Sequence, residues 1–513
     1  MPRRSHLLTA VSALALALAL GPVAPAATAA GAPTPVPAPT PRPKPSQSSP
    51  DRFRRQHLDW KPCEGGRCAT LTVPLDHARP QGPTTRLALL KVPATDPARR
   101  RGSLVVDPGG PGLSGVAFAR ESGSYFGESV RAAYDVVGLD PRGVGGSTPL
   151  RCLDDAGMDS WMGLRTPGTA EQEQEFTAGQ RSFAAACLHA DPRLVPHMST
   201  TDVARDLDIL RAALGEERLD YFGASYGTLL GATYADLFPQ HVGRMVLDGA
   251  MDPALGSEQR AAGQAAGFER ALNSFLAAWV KDGGCPLGTT APQARSRLEA
   301  LLTEGAARPI DSQGVTPAGG LTDTWLRLAI STQLYDQGSW PQLRAGLTEA
   351  LQGRGGSLML LATMAVGRDM DGTYSSNLYQ VIPAVDCLDH PTTPDPRHYR
   401  DLAETFARQW PVMGRAMAWG GYVCGAWPVR RPSLAHPVKA AGAAPIVVVG
   451  TTRDPATPYE QAVSLARQLD SGRLITRDGD GHTGYHRGSA CVDQAVDAYL
   501  TQGTDPGRDL RCS

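Results

Sequence analysis

Residues 219–228 read LDYFGASYGT, and the interpretation of the whole chain starts from this stretch. A short apolar run at 219–222 leads into a G-x-S-x-G motif at 223–227, and the small residues that end the motif are suited to open a helix. With 56 glycines among 513 residues the motif alone is weak, but its position between a strand and a helix makes it specific. Such an elbow holds a serine in a strained turn with its hydroxyl exposed above the sheet. The stretch therefore predicts Ser225 as a nucleophile.

Apolar and β-branched runs on both sides of the elbow predict a sheet. The runs at 69–73 and 85–92 are separated by Pro- and Gly-containing sequence, which is typical of an opening antiparallel pair. The later runs are short and apolar, as buried parallel strands are, and they lie at 103–107, 134–140, 219–223, 242–248, 445–450 and 473–476. Helical patterns alternate with them. The chain is therefore predicted to form an α/β fold with a mostly parallel central sheet flanked by helices.

The sequence between 254 and 444 differs from the rest of the chain. It is rich in Ala, Leu and Arg, shows helical spacing of its apolar residues and contains few strand-like runs. We interpret 254–444 as one large, mainly helical cap insertion that lies over the sheet. The sheet-forming core is then divided into a first part at 53–253 and a C-terminal part at 445–513.

Composition and charge exclude several classes of protein. The chain has 50 Lys and Arg against 51 Asp and Glu, a net charge of −1, and 42% of its residues are hydrophobic. These values are typical of a folded, enzyme-sized protein and exclude a mainly disordered chain. The balanced charge provides no broad basic field for nucleic acid. Any partner must therefore be recognised by a local site.

The N-terminal residues predict export. Within 1–29, Arg3 and Arg4 precede an apolar run at 7–20, followed by small residues, which is the pattern of a secretory signal peptide. The run is shorter than the roughly 20 apolar residues of a membrane-spanning helix, so we expect no stable membrane insertion after cleavage. Prolines recur through 30–52, which favours an extended linker or a removable pro-segment. We expect a secreted protein, or one associated with the cell wall.

Nine cysteines in an exported chain predict disulfides, and their odd number leaves at least one unpaired. The chain has no CxxC pair and no HExxH motif, so we expect no metal site. Pairing of sequence neighbours leaves Cys285 free and gives Cys63–Cys68, Cys152–Cys187, Cys387–Cys424 and Cys491–Cys512.

A serine nucleophile requires a base, and the base requires an acid that fixes its tautomer. The strand-to-helix elbow predicts the chain order serine, acid, histidine. Asp454 follows the predicted strand at 445–450 and so lies at the edge of the sheet where the acid belongs. The alternative to a catalytic role is a structural one, in which Asp454 stabilises a turn or caps a helix. We predict Asp454 as the acid, with Asp478 and Asp480 as rivals.

The predicted base is His482, in the sequence GHTG at 481–484. This loop follows the last predicted strand, and its glycines allow the imidazole to reach the serine. His486 is the competitor, and the two histidines at i and i+4 also resemble a metal-binding pair. Glycine within the segment argues against the helix that such a metal site needs.

Residues 107–112 read DPGGPG and follow another predicted strand. Glycines at this position let backbone N–H groups approach a substrate, as an oxyanion hole requires, and we expect Gly110 and Tyr226 to supply the donors. Residues 110–115 also match the G-x-G-x-x-G dinucleotide fingerprint. Pro111 removes an N–H from this turn, and an exported protein meets no nicotinamide pool. A nucleotide-binding oxidoreductase is therefore a distant alternative, and we expect no cofactor.

These motifs occur together in a fixed order along the chain. They are GGPG at 109–112, DPRG at 140–143, GASYGT at 223–228, DGAMDP at 248–253, Asp454 with TP at 457–458, and GH at 481–482. The ordered set, from about 63 to 512, resembles the exported tripeptidyl aminopeptidases of actinobacteria, which are α/β-hydrolase serine exopeptidases related to prolyl aminopeptidases. The resemblance implies an α/β-hydrolase fold, Ser225 as nucleophile, Asp454 as acid, His482 as base and a cap that shapes the substrate entrance. Asp107 departs from the pattern, because the family commonly has Asn there.

The predicted activity is that of a secreted serine exopeptidase which releases short peptides, tripeptides above all, or single residues from the N-terminus of peptides. The alternative is a secreted carboxylesterase or lipase-like hydrolase of the same fold. An exopeptidase of this kind must recognise the free ammonium group of its peptide substrate, and a carboxylate is the natural partner. The candidate carboxylates are Asp386, Asp389, Asp248 and Asp252.

Overall fold

A ten-stranded sheet crosses the part of the chain that the computed structural model describes, residues 51–513. The predicted signal peptide at 1–29 and nearly all of the predicted linker at 30–52 lie outside the described residues. The strands are β1 (Lys61–Cys63), β2 (Gly66–Pro74), β3 (Thr84–Val92), β4 (Gly102–Asp107), β5 (Tyr134–Leu139), β6 (Leu219–Ala224), β7 (Val242–Asp248), β8 (Ile446–Arg453), β9 (Gly472–Asp480) and β10 (Asp509–Cys512).

The spatial order of the strands is β1-β2-β3-β5-β4-β6-β7-β8-β9-β10. The pairs β1–β2, β2–β3 and β3–β5 are antiparallel, and every later pair is parallel. The predicted α/β fold with a mostly parallel sheet and an antiparallel opening pair is confirmed. The carboxyl ends of β4, β6, β7 and β8 therefore meet at one edge of the sheet, where ligands bind in open α/β sheets.

Helices flank the sheet and fill the long connection between β7 and β8. In the first part of the chain they are α1 (Asp51–Arg54), α2 (Gly115–Arg120), α3 (Ser122–Tyr125), α4 (Glu128–Ala133), α5 (Asp155–Met162), α6 (Ala170–Ala190), α7 (Thr200–Ala213) and α8 (Tyr226–Leu237). Between β7 and β8 lie α9 (Ser257–Asp282), α10 (Ala291–Ala307), α11 (Asp323–Gln333), α12 (Trp340–Ala350), α13 (Gly356–Ala365), α14 (Leu378–Asp389), α15 (Pro396–Gln409), α16 (Gly414–Gly420) and α17 (Tyr422–Gly425). The chain ends with α18 (Tyr459–Gln468) and α19 (Ala490–Gln502).

The sheet is buried on both faces. Successive side chains of a strand point to opposite sides, so each central strand contributes to the apolar cluster on either face. In β5, Val137 and Leu139 belong to the apolar cluster on one face, while Tyr134 and Val136 belong to the cluster on the other. This explains why the central strands read as continuous apolar runs.

The helices between β7 and β8 have a core of their own, and two helices from an earlier part of the chain join it. Met158 of α5 packs in the cluster that contains Phe275 of α9 and Trp325 of α11. Phe176 of α6 packs against Trp419 of α16, with ring centroids 5.7 Å apart. The helices α5 and α6, which lie between β5 and α7, were not predicted from the sequence.

The predicted disulfides are confirmed in the described residues. The bonded pairs are Cys63–Cys68, Cys152–Cys187, Cys387–Cys424 and Cys491–Cys512, and Cys285 is a free, half-buried thiol. The pair Cys387–Cys424 ties α14 to α17. Among residues 51–513, no helix has both the length and the apolar character needed to cross a membrane.

Alkylation of the denatured but unreduced protein should modify one cysteine, Cys285. The half-buried thiol becomes fully accessible on unfolding, whereas the bonded cysteines stay protected until they are reduced. Peptide mapping by mass spectrometry identifies the modified position, and prior reduction should raise the number of modified cysteines to nine. A second free thiol, or a peptide that links cysteines from different pairs, would contradict this connectivity.

Candidate active site

Ser225 occupies the sharp turn between β6 and α8. Its backbone has φ 55° and ψ −123°, in the positive-φ region that only glycine adopts without strain. A Cβ built on Gly223 would lie 2.4 Å from the carbonyl oxygen of Gly227, and one built on Gly227 would lie 2.7 Å from the carbonyl oxygen of Asp107, so close backbone contacts require both glycines. The amide of Ser225 donates to the carbonyl of Asp248, 2.9 Å away, which ties the turn to the end of β7. The structure thus shows the strained elbow that the motif predicts.

Asp454 directly follows β8 and is fully buried. Its Oδ1 accepts hydrogen bonds from the amides of Ala456 and Thr457, each at 2.9 Å. Its Oδ2 accepts from the Thr457 hydroxyl at 3.1 Å and from the Thr483 amide at 3.2 Å. Several donors thus converge on one carboxylate, an arrangement that suits the ionised form and fixes its orientation.

His482 is buried beside Asp454 and contacts it through one ring nitrogen. Nδ1 of His482 lies 2.9 Å from Oδ2 and 3.0 Å from Oδ1 of Asp454. An ionised carboxylate only accepts hydrogen bonds, so Nδ1 carries the proton and Nε2 presents its lone pair. Nε2 is buried and has no hydrogen-bond partner in the described chain. The ring is therefore oriented with a free base on the side away from Asp454.

The end of β7 connects the elbow with the histidine loop. The carbonyl of Asp248 accepts from Ser225, while its carboxylate accepts from the amides of Gly484 and Tyr485 at 2.7 and 3.0 Å. A Cβ built on the next residue, Gly249, would lie 3.1 Å from Cε1 of His482. Burial raises the pKa of Asp248 to about 6. Asp248 is thus a structural bridge that holds Ser225 and the histidine loop at the same edge of the sheet.

The glycine loop at 109–112 lies against the elbow through its backbone. A Cβ built on Gly109 would lie 2.9 Å from the amide nitrogen of Tyr226 and 3.0 Å from Cβ of Ser225. The Gly109 amide is already occupied, because it donates to Oδ1 of Asp107 at 2.8 Å. The amides of Gly110 and Tyr226, the two sequence-predicted oxyanion donors, donate no hydrogen bond within the described chain. Their loops meet beside Ser225.

The other residues considered for the base and the acid, His486, Asp478 and Asp480, do not lie beside this pair. His486 is exposed, and its amide donates to Asp493. Asp478 and Asp480 form ion pairs with Arg453 at 2.8 and 3.0 Å, because β9 extends further than its apolar run. Neither carboxylate contacts His482.

The dinucleotide fingerprint at 110–115 also has a structural explanation. A Cβ built on Gly115 would lie 2.2 Å from the carbonyl oxygen of Leu139, so this glycine permits close packing of α2 on β5. The helix that follows it, Gly115–Arg120, spans only six residues. Among residues 51–513, no cluster of His, Cys, Asp and Glu is arranged to hold a metal ion.

Two contacts of His482 were not predicted from the sequence. The Thr457 hydroxyl lies 3.4 Å from Nδ1 of His482. Its position three residues after Asp454 could have indicated that it lies beside the same carboxylate. The carbonyl of Tyr335 accepts from the His482 amide at 2.8 Å, and the two rings meet edge to face at 5.1 Å. Tyr335 comes from the helical insertion, far away in the sequence, and no local pattern indicates it.

Asp107 is buried beneath the elbow and has an unusual ionisation. A Cβ built on Gly227 would lie 2.9 Å from Oδ1 of Asp107, so the carboxyl packs directly against the start of α8. Burial raises the pKa of Asp107 from 3.8 to about 7, and the nearby carboxylate of Asp140 acts in the same direction. The Gly109 amide opposes this shift.

Replacing Asp107 with Asn should flatten the pH dependence of stability. Between its ordinary pKa and about 7, Asp107 keeps its proton in the folded protein and loses it in the unfolded chain. The stability contributed by this group therefore falls as the pH rises through that window, by a few kcal/mol at most. The Tm of Asp107→Asn relative to wild type should rise from about pH 5 to about pH 8.

The exposed Asp401→Asn is the matched control, with no such trend expected. A difference between Asp107→Asn and wild type that stays constant across this range would show that Asp107 is already ionised at low pH.

Comparison with known proteins shows the family to which the chain belongs. Residues 410–512 match a family described as "TAP-like protein". Serine protease Hip1 of Mycobacterium tuberculosis is 36% identical over 490 residues, which cover 89% of this chain and 91% of that protein. Carboxylesterase B of the same species is 38% identical over 482 residues, with 91% and 90% covered.

Tripeptidyl aminopeptidase of Streptomyces lividans is 33% identical over 478 residues, which cover 90% of this chain and 88% of that protein. These similarities extend over the sheet and the helical insertion alike. The chain therefore belongs to the TAP-like family of α/β-hydrolase enzymes.

Proposed function

We propose that this enzyme is a serine exopeptidase that releases tripeptides from the N-terminus of peptides through an acyl-enzyme on Ser225. The observation that carries the proposal is the Asp454–His482 pair, which presents a free Nε2 at the sheet edge where the strained elbow holds Ser225. An acid, a base and an activated serine at one edge are the set that acyl transfer needs.

In the proposed first step, the scissile carbonyl lies beside the amides of Gly110 and Tyr226. The Ser225 hydroxyl attacks this carbonyl while Nε2 of His482 takes the hydroxyl proton, and Asp454 stabilises the resulting imidazolium. The two amides stabilise the oxyanion of the tetrahedral intermediate, and losing one such donor typically costs about 3–4 kcal/mol.

Collapse of the intermediate breaks the peptide bond, and His482 returns its proton to the departing amine. The acyl group stays on Ser225 as an ester. A water molecule then attacks the ester while His482 acts again as the base, which releases the acid product and restores the serine.

The choice of peptide over ester substrates rests on the helical insertion. Tyr335 from this insertion contacts His482, and Leu378 and Val381 of α14 lie against the glycine loop at 109–112. The insertion thus contacts both the histidine and the glycine loop, where it can limit how much of a peptide enters. A relative named as a tripeptidyl aminopeptidase and another named as a serine protease are consistent with this choice.

The second candidate is a carboxylesterase, and a specific observation favours it. A relative named carboxylesterase B is 38% identical to this chain over nearly its whole length. Esters and peptides acylate the same serine through the same oxyanion donors, so the fold does not choose between them.

We also propose that the protein is exported. Four disulfides in the described residues suit an oxidising compartment, and the first 29 residues have the pattern of a signal peptide.

A fluorophosphonate probe should label wild type on Ser225, as mapped by peptide mass spectrometry. Ser225→Ala should lose both the labelling and the activity, by about a hundred-thousandfold or more. Asp454→Asn should lose about a thousand- to ten-thousandfold in kcat/KM, because His482 is left in the wrong tautomer. The control Ser357→Ala, on the exposed side of α13, should match wild type. Labelling of another residue would overturn the assigned nucleophile.

A substrate panel should separate the two candidate functions. We expect kcat/KM for alanyl p-nitroanilides to rise from one to three residues and to fall when the chain is N-terminally extended beyond three. A p-nitrophenyl butyrate ester, corrected for its greater intrinsic reactivity, should be the poorer substrate. Efficient ester turnover with no Ser225-dependent cleavage of any peptide anilide would move the assignment to a carboxylesterase.

A further inference from the structure

The helical insertion contains a cavity of about 410 Å³, which we call the cap cavity. Its walls come from α5 and α6 and from helices between β7 and β8, namely α9, α11, α14, α16 and α17. The volume is within the range of small-ligand sites, roughly 300–1,000 Å³. None of Ser225, Asp454 and His482 lines it.

The cap cavity nevertheless borders the catalytic loops. Leu378, the first residue of α14, would lie 3.0 Å from a Cβ built on Gly110, so this helix starts against the predicted oxyanion loop. On the opposite wall, Nε2 of Gln264 donates to the carbonyl of Ala456, two residues after Asp454. Tyr379, the residue after Leu378, lines the cap cavity, so α14 leads from the glycine loop beside Ser225 into the wall of the cavity.

His390 is the unexplained polar group in the wall. Its side chain is buried, with the residue only 4% exposed, and neither ring nitrogen has a partner in the described chain. Burial, with a smaller effect from the Arg260 cation, lowers the pKa of His390 to about 4. The ring is thus neutral near pH 7 and offers one acceptor nitrogen. A buried acceptor with no partner costs stability unless a ligand completes it.

A second acceptor is the backbone of α14 itself. Pro383 lies inside this helix and has no N–H, so the carbonyl of Tyr379 receives no helical hydrogen bond. Tyr379, Pro383 and Asp386 follow each other at intervals of four and three residues and all line the cap cavity. These three residues therefore lie on the face of α14 that borders the cap cavity.

Among the candidate carboxylates, Asp386 is the one that lines the cap cavity. Its Oδ1 pairs with Arg260 at 3.2 Å, which leaves Oδ2 for a ligand. Asp389 is used by Thr200, Asp248 by the histidine loop, and Asp252 by the Ala254 amide and by Gln468. These three carboxyls hold the fold together, whereas Asp386 faces the cavity.

We propose that the cap cavity binds the N-terminal residue of the peptide substrate, with the ammonium group held by Asp386 and His390. This inference rests on the proposed exopeptidase function. An ammonium has three donors and no acceptor, which matches the Asp386 carboxylate, the His390 lone pair and the Tyr379 carbonyl. Nε1 of Trp419, which is buried and unpartnered in the same wall, is a donor for a substrate carbonyl.

The spacing along α14 agrees with the length of a tripeptide. Leu378 and Asp386 are eight residues apart in the helix, or about 12 Å at the usual rise per residue. Three extended residues span about 10 Å. The helix thus separates the oxyanion loop from the ammonium partner by about the reach of three residues, and an N-terminally longer chain would meet the far wall.

Two polar groups in the otherwise mostly apolar wall argue against a fatty acyl chain. An aliphatic chain would leave the His390 nitrogens and the Trp419 N–H buried without partners, which disfavours such a ligand. Arg260 raises one competing possibility, because a cation in the wall can also hold an anionic ligand.

Three matched substrates test the proposal: a tripeptide p-nitroanilide with a free amine, its N-acetyl form and its N-succinyl form. Wild type should prefer the free amine. Asp386→Asn should lower kcat/KM for the free-amine substrate by about ten- to a hundredfold, and leave the N-acetyl substrate and a small ester unchanged. Unchanged ester turnover shows that the variant is folded. The control Asp401→Asn, an exposed cap carboxylate, should match wild type on every substrate.

Two results would overturn the proposal while leaving the exopeptidase function intact. In the first, wild type cleaves the free-amine substrate through Ser225 and Asp386→Asn retains its full rate, or loses all substrates equally. In the second, the N-succinyl substrate is preferred and this preference is lost in Arg260→Gln, which would make the cavity an anion site. Failure of wild type to cleave any peptide anilide, with ester turnover retained, would instead reject the proposed function together with the inference.

Discussion

The active-site edge depends on one buried carboxylate. Asp454 sits at the end of β8 and accepts from the amides of Ala456, Thr457 and Thr483, as well as from the ring of His482. A buried charge is stable only when donors surround it, so the loops after β8 and β9 must come together around this group. The orientation of the imidazole follows from the same hydrogen bonds. The hydrogen bonds to Asp454 therefore both hold the two loops together and orient His482 for the proposed chemistry.

The sheet edge and the helical insertion contact each other at a few residues around the proposed active site. The sheet edge positions Ser225, Asp454 and His482, which would serve any acyl transfer. The insertion adds the Tyr335 carbonyl on the His482 amide and packs α14 against the glycine loop. Relatives whose sequences match this chain over about nine-tenths of their length are named as protease, carboxylesterase and aminopeptidase. Under the proposed function, the insertion with its cap cavity is the part of the chain that selects the substrate.

Much of the sheet and the position of the elbow were predictable, because both depend on local sequence patterns. Buried parallel strands give short apolar runs, and close backbone contacts on both sides of Ser225 require the glycines at 223 and 227. The helices α5 and α6 were missed because α5 spans only eight residues and α6 buries few large apolar side chains, so neither shows a strong helical stripe. Tyr335 and His390 were missed because a carbonyl contact or an unpartnered imidazole leaves no local signal.

The most direct test of the central claim is a crystal structure of the enzyme with a tripeptidyl boronic acid. We expect a covalent bond from boron to Oγ of Ser225. One boron-bound oxygen should lie about 2.7–3.1 Å from the amides of Gly110 and Tyr226, with Nε2 of His482 hydrogen-bonded on the other side. A boron atom bonded to another residue, or an oxygen directed away from both amides, would contradict the account.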